Sequence, residues 1–304
     1  MNAIRAPENP IVTPDMVLAS RPDMEVVGVF NAGATRFGDD TVLLLRVSEA
    51  PRKLASLGIS AAIYNADTRR IEIKQWMENT KGLDASDPRA VIVEGTTWLT
   101  SMSHLRVARS RDGIHFEVEG TPALSPSNQY EAFGIEDPRI TLLDGTYWIN
   151  YTAVSQHGIT TALASTKEFR TFERHGVIFP PPNRDVTIFP EKIGGGAVPF
   201  RVHSGNRDAW LAVYHGVTSS PAAYSLGALL LDLHDPGKVL ARSREPILKP
   251  ETAYEREGFY GNVVFTCGLV AEGDLVRIYY GAADAVMAVA DLSLAEILAG
   301  LSEP

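Results

Sequence analysis

The chain has one cysteine, Cys267, among its 304 residues, so no internal disulfide can form. That suits a reducing compartment, and a cytoplasmic location is expected. No apolar run approaches the roughly 18 residues that a membrane-spanning helix needs. The opening residues, Met1 to Pro7, carry no apolar stretch of the kind found in a secretory signal, so neither export nor membrane attachment is expected. Basic residues are the minority, 28 against 37 acids, for a formal net charge of −9. An acidic surface disfavours nucleic acid and anionic membrane as partners. Neutral ligands such as sugars need no charged surface, whereas an anion would require a local basic cluster. Phosphate-binding glycine loops of the P-loop or dinucleotide type are absent, as is any Gly-x-Ser-x-Gly elbow. The seven histidines are scattered without metal-ligand spacing, and no metal or organic cofactor is implied.

Helical periodicity is also scarce. What is present is a series of short apolar strands broken by turn residues. Thr41–Val47, Ala61–Asn65, Ile140–Leu143, Tyr147–Thr152 and Trp210–His215 read as strands. Asp39-Asp40, Asp144-Gly145 and Glu272-Gly273-Asp274 supply turns. Only Ser293–Leu301 is convincingly helical, with Ser293 as its cap and Glu296 placed to complete a capping box. The fold class is therefore all-β with a short C-terminal helix. A weak internal repeat refines this: Ala108–Glu117 echoes Ala164–Glu173, and each unit leads to a proline-bearing stretch. A period of about 50 residues matches one four-stranded blade of a β-propeller. No Pro/Gly/Ser-rich linker divides the chain, so residues 1–304 are read as one domain.

Charged residues at the ends of apolar strands are the candidates for chemistry. The most prominent stand in Gly134-Ile135-Glu136-Asp137-Pro138-Arg139. Adjacent acids on an extended segment point opposite ways, so only one of Glu136 and Asp137 is expected to face a channel. Pro138 biases Asp137 toward an extended backbone. Arg139 is placed to hold a carboxylate or an anion; a turn with a surface Asp-Arg pair fits the same residues. Arg46 interrupts an apolar strand, where an unpaired charge is expensive; it either meets a buried partner or faces outward. Lys192 precedes a glycine run, His215 ends a strand, and Asp284 follows Tyr279-Tyr280-Gly281-Ala282-Ala283.

Taken in order, these segments resemble glycoside hydrolase family 130, the β-mannoside phosphorylases and their hydrolytic relatives. The resemblance is carried by Phe30–Ala34, Leu43–Val47, Ser103–Ser110, Glu136–Arg139, Phe189–Ile193, Tyr214–Val217, Tyr224–Ala228, Gly261–Phe265 and Tyr279–Asp284. It implies a five-bladed β-propeller with the active site in its central channel. It implies inverting phosphorolysis of β-mannosides to α-mannose 1-phosphate, with inorganic phosphate as co-substrate. Asp137 matches the general acid, which delivers its proton through a sugar hydroxyl. Asn31, Arg46, Arg106, Phe265 and Asp284 match sugar-binding positions. Asn183, Arg184, Lys192, His215 and Tyr224 match the phosphate pocket. A phosphorylase needs one acid and a cationic cradle, because phosphate already carries the negative charge that an inverting hydrolase must create with a second carboxylate.

The sequence departs from the family in one place. A stretch about one blade long, usually found between the Phe-Pro-Glu-Lys segment and a later Lys-Ile-Gly-x-Gly segment, is missing, and the two are fused in Phe189–Gly196. That implies a propeller with one blade shortened, or one completed by a neighbouring subunit in a homo-oligomer. Two alternatives follow: a β-mannoside hydrolase with Glu136, Glu191 or Glu257 as base, and a sugar-binding propeller without turnover.

Overall fold

The computed structural model describes residues 3–52, 58–186, 188, 199–219 and 222–303, without the side chains of Pro199 and Ser219. Its architecture is all-β. Four antiparallel meanders of four strands each account for most of it. The first comprises Met24–Phe37, Asp40–Pro51, Met102–Ser110 and Glu117–Val118. The second runs through Gly134–Leu143, Thr146–Ser155, Gly158–Thr166 and Glu173–Phe179. One parallel pair, Gly134 with Ser103, joins these two into a single eight-stranded sheet. The third comprises Pro199–Ser204, Arg207–Ser219, Ala222–Asp232 and Val239–Ser243, edged by Leu301–Ser302. In the fourth, Val264–Glu272, Leu275–Ala282 and Val286–Ser293 are completed by Ile4–Arg5 from the other end of the chain. Two small sheets, Ile59–Asn65 with Arg70–Trp76 and the three strands between Leu83 and Leu99, lie outside the meanders.

The five strands read from sequence all lie inside observed strands. The repeated units are equivalent hairpins. Ser110 Oγ accepts from the backbone N–H of Gly113 at 2.9 Å, and Thr166 Oγ1 accepts from that of Phe169 at 3.0 Å. After each turn the chain pairs back at the same offset, Glu117 with Arg109 and Glu173 with Ser165. A hydroxyl that satisfies the turn N–H three residues on is the physical content of the repeat. The C-terminal helix spans Leu294–Ala299, with Ser293 Oγ accepting from Glu296 N at 3.1 Å. A second helix, Ala253–Arg256, escaped the sequence reading because it is one turn long; Glu255 Oε2 accepts from the Thr252 N–H at 2.9 Å, half of a capping box.

Apolar cores lie between neighbouring meanders. One is built on Leu211, Leu230, Val276 and Ile278, another on Leu43, Leu45, Val289 and Phe116, a third on Leu44, Leu105, Ile149 and Phe169. Three strands from different meanders approach one another without pairing. A Cβ on Gly33 would stand 2.7 Å from the Pro138 carbonyl oxygen, and one on Gly268 would overlap Ala34. Only glycine lets these backbones come so close. Met24–Phe37 is thereby pressed between Gly134–Leu143 and Val264–Glu272, which brings Asn31, Asp137 and Phe265 to one cavity.

Candidate active site

Two β-bulges aim the central residues. The pairing register slips between Phe30 and Gly33 and again between Glu136 and Arg139. Within these slips Asn31 has φ 51° and Asp137 has φ 50°, a left-handed backbone that non-glycine residues adopt rarely, Asn and Asp most readily. Asp284 reaches the same region, at φ 50°, in the turn after Leu275–Ala282. Three polar residues from three meanders thus take a costly backbone conformation at one cavity, as functional sites often do.

The bulge at Asp137 corrects two expectations. Asp137 is not extended, despite the proline that follows it. Because the bulge breaks the alternation of side chains, both Glu136 and Asp137 face the cavity. Arg46 holds the two together. Its Nη1 donates to Asp137 Oδ1 at 2.9 Å, its Nη2 to Glu136 Oε1 at 2.8 Å and its Nε to Ser103 Oγ at 3.0 Å. The guanidinium also lies 4.5 Å from the centre of the Phe30 ring. Arg46 therefore faces inward and is fully engaged. Asn31 Nδ2 donates to Asp137 Oδ1 at 3.0 Å, and Asn31 Oδ1, buried, has no partner among the described residues.

These contacts separate the acids electrostatically. Burial pushes the Asp137 carboxyl up, but Arg46, Asn31 and Arg139 outweigh it and hold it below the ordinary carboxylate range. Burial pushes Glu136 up, and the neighbouring Asp137 and Asp284 add to this against the pull of Arg46. Burial likewise raises Asp284 to about 6. Arg46 and Asn31 thus keep Asp137 ionised while burial makes its neighbours Glu136 and Asp284 easier to protonate, a separation of roles typical of paired catalytic carboxyls. The cavity measures about 420 Å³, and Arg89, Arg184, Tyr224, Tyr260 and Phe265 also line it. Among the described residues no group of three or more His, Cys, Asp or Glu could hold a metal.

A family model described as beta-1,4-mannooligosaccharide phosphorylase matches residues 100–188 and 183–303. The chain belongs to glycoside hydrolase family 130. The beta-1,2-mannobiose phosphorylase of Listeria innocua is 38% identical to it, over 98% of both chains. The structure of that enzyme with beta-1,2-mannobiose superposes with a TM-score of 0.91, covering 99% of each chain. A 1,2-beta-oligomannan phosphorylase from Thermoanaerobacter sp. is 36% identical over 64% of this chain and 80% of its own. The alignment with the Listeria innocua protein spans 352 positions, more than this chain has residues, so the relative carries residues without counterparts here.

Within this family 130 chain, the remaining site residues fall into three groups. Arg184, Tyr224, Phe265 and Asp284 line the cavity with Asn31, Arg46 and Asp137. Arg184 stands at the rim with its side chain 66% exposed, and its Nε is 3.6 Å from Asp185 Oδ2. His215 sits just behind, its ring 4.1 Å from that of Phe265 and 6.3 Å from that of Tyr224. Burial draws the His215 pKa down, so the imidazole is biased toward its neutral form. Asn183 and Arg106 are not among the residues lining the cavity. Asn183 instead accepts from the Thr161 hydroxyl at 3.0 Å. Arg106 is wholly buried beneath the site, donating to the Leu18 carbonyl at 2.7 Å, with its other arm 3.2 Å from His104. Its strand neighbour Leu45 faces the core beside it, which explains why Arg106 turns away from the cavity that Arg46 enters. Lys192 and Glu191 lie outside the described residues. Glu257 is exposed and is not part of the cavity lining.

Sequence reasoning missed Asp87, Arg89 and Tyr260. Arg89 pairs bidentately with Asp87, at 3.0 and 2.8 Å, and its guanidinium lies 5.1 Å from the Tyr260 ring centre. Asp87 and Arg89 belong to the small sheet region, whose alternation is too short to register. Tyr260 stands in a loop, held by its N–H donating to the Ala283 carbonyl at 3.0 Å.

Proposed function

We propose that this chain is a β-mannoside phosphorylase that cleaves β-1,2-linked mannosides with inorganic phosphate, inverting the anomeric centre to give α-mannose 1-phosphate. One observation carries the reading: Asp137, fixed by Arg46 and Asn31 on two facing bulges, shares its cavity with Arg184 and Tyr224. That pairs a positioned acid with a cationic, hydroxyl-bearing rim, and the rim suits a phosphate nucleophile rather than a bare water. The β-1,2 linkage is favoured by end-to-end similarity to the Listeria innocua mannobiose enzyme.

In this reading the transferred mannosyl unit sits over Phe30 and Phe265, with Asn31, Arg46 and Asp284 taking its hydroxyls. Arg184, Tyr224, His215 and Lys192 serve phosphate. Asp137 protonates the departing oxygen through a sugar hydroxyl. Arg46 and Asn31 hold Asp137 ionised, so sugar binding must raise its pKa for it to act as acid; excluding water from the carboxylate acts in that direction. The four meanders are read as blades of a five-bladed propeller whose fifth blade is shortened, with the acid at its axis. The chain is one catalytic domain, acting in the cytoplasm.

The test is incubation with β-1,2-mannobiose, with and without phosphate, followed by phosphorus and proton NMR. α-Mannose 1-phosphate and mannose, formed only when phosphate is present, are expected. Free mannose as the sole product without phosphate would make the protein a hydrolase, and binding without turnover a sugar-binding propeller.

A further inference from the structure

A buried carboxylate outside the cavity gathers five donors. Glu255, in the one-turn helix Ala253–Arg256, has a side chain that is 0% exposed. Its Oε1 accepts from Arg5 Nε at 2.8 Å and from the Tyr280 hydroxyl at 2.7 Å. Its Oε2 accepts from Arg5 Nη2 at 3.1 Å and from the backbone N–H groups of Glu251 at 2.6 Å and Thr252 at 2.9 Å. Arg5 comes from the other end of the sequence, on the strand Ile4–Arg5 that edges Val286–Ser293. Its Nη2 also donates to the Lys249 carbonyl at 2.7 Å. A carboxylate taken out of water is kept only where such donors offset its desolvation.

The chain that leaves Glu255 builds one wall of the cavity. Phe259, Tyr260 and Val263 line it, and so does Asp284 from the turn after Leu275–Ala282. A ladder of backbone bonds joins this wall to the helix. The Val263 N–H donates to the Glu255 carbonyl, the Ala283 N–H to the Val263 carbonyl and the Tyr260 N–H to the Ala283 carbonyl, each at 3.0 Å. The wall is strained. Asn262 has φ 59°, Ala283 49° and Asp284 50°. Asn and Asp tolerate this left-handed region, but alanine has a Cβ that crowds the following carbonyl and no polar group to compensate. Ala283 is also wholly buried, and a Cβ on Gly258 would come within 2.6 Å of its methyl. Such a conformation persists only where its surroundings over-determine it. Here the surroundings are the ladder, and the ladder ends on Glu255.

We propose that Arg5 and Glu255 are positioning residues. Their ion pair tethers the loop of residues 259–263, and through it the strained turn at 283–284, in the shape that receives the mannosyl unit. The inference rests on the reading of the site as a mannoside phosphorylase, and it adds two residues that lie outside the cavity lining. It also carries a specific consequence. The tether offsets the cost of a left-handed alanine, so Ala283→Gly, which removes that cost, should make the tether less necessary.

The experiment runs the reaction in the synthetic direction, with α-mannose 1-phosphate as donor and mannose as acceptor, and reads kcat/KM for the donor from phosphate release. The tether is cut by Arg5→Met and Glu255→Gln together. Both charges leave at once, and the amide can still accept from the Glu251 and Thr252 N–H groups while donating to the Tyr280 hydroxyl. A fall of about tenfold is expected, from misplacement of a wall that touches the sugar. In a background carrying Ala283→Gly the same cut should cost less than about threefold, whereas independent sites would show the same loss in both. A loss of equal size in the two backgrounds, or no loss in either, overturns the inference. Should the double substitution fail to fold, Arg5→Lys keeps the charge but cannot grip both carboxylate oxygens, and the same dependence on Ala283→Gly is expected of it. Hydrogen exchange gives a readout that needs no turnover. Amides in residues 259–263 and 282–285 should exchange about tenfold faster once the tether is cut, with the first two meanders unchanged. Faster exchange throughout the chain would make the pair a general stabiliser, and unchanged exchange in the wall would show that nothing is tethered; either result overturns the inference. If the wild-type protein releases no phosphate with any acceptor, the functional reading falls instead, and exchange alone decides on the tether.

Discussion

Around Asp137, side chains from three long strands are locked by hydrogen bonds of 2.8 to 3.0 Å, largely out of contact with water. The groove of about 1170 Å³ that shares Asp87, Ser101 and Phe259 with the cavity is different. Its walls are short turns and strand ends, with exposed Met77 and Phe259 and, among the described residues, no basic side chain in the lining. The difference follows from what each region must do. Stabilising charge that develops in a transition state requires dipoles and charges already in place, because their reorganisation would consume the gain. A solvent-open depression makes no such demand of its side chains. The bulges at Asn31 and Asp137 belong to the first kind of construction, and the groove has no comparable device.

The substitution with the largest expected effect breaks the catalytic end alone. Asp137→Asn keeps the shape and the donor side of the network but cannot protonate the departing oxygen. A fall in kcat of about 10²–10⁴ is expected, with sugar affinity by calorimetry nearly unchanged. A loss smaller than tenfold would move the acid role to Glu136 or Asp284. Next comes Arg46→Met. It leaves Glu136 and Asp137 side by side and uncompensated in a mostly buried site. Breaking a buried ion pair in this way costs about 3–5 kcal/mol, to be read from the chemical denaturation midpoint near neutral pH. The loss should shrink in acid, where the carboxyls are protonated.

The catalytic end was also the more legible in the sequence, though not its geometry. Arg46 stood out because an arginine inside Leu43-Leu44-Leu45 demands a partner, and the partner is there. The strands from Thr41 to His215 were readable because each buries one regular face. The inward turn of both Glu136 and Asp137 was not readable, since it depends on a bulge whose register is set by the opposing strand Thr146–Ser155. Arg106 shows the converse limit. It occupies a strand beside Arg46 and is just as polar, yet the pleat sends it to the Leu18 carbonyl. The groove left almost no trace, because its described residues come from seven separate short segments. Asp87 and Arg89 are two residues apart in an ordinary turn sequence, and only the fold brings Tyr260 to them.

Asp284 sharpens the comparison through pH. Burial lifts its pKa from the usual 3.8 to about 6, so the folded state disfavours the ionised form. Below pH 4 the group is protonated in folded and unfolded chains alike and costs nothing. As pH rises from about 4 to 6 the unfolded chain ionises first, and stability falls; above 6 the cost is constant. Asp284→Asn should therefore stabilise the protein near pH 7 by on the order of 2 kcal/mol and flatten the stability profile between pH 4 and 6. Activity should fall at the same time, because the same carboxylate lines the catalytic cavity. A variant that gained neither stability nor a flatter profile would place Asp284 in contact with water.

The smallest effect belongs at the junction. Arg89 is 52% exposed, so its ion pair with Asp87 and its contact with Tyr260 together contribute less than about 1 kcal/mol to folding. Arg89→Ala should leave the denaturation midpoint nearly unmoved. The KM for a mannose acceptor should still rise about threefold to tenfold, because the step between cavity and groove loses its fixed donor. The KM for α-mannose 1-phosphate should change less, since Arg46 and Asn31 hold that end independently. If both constants rose together, Arg89 would belong to the catalytic network, and the boundary between the two regions would have to be drawn beyond Tyr260.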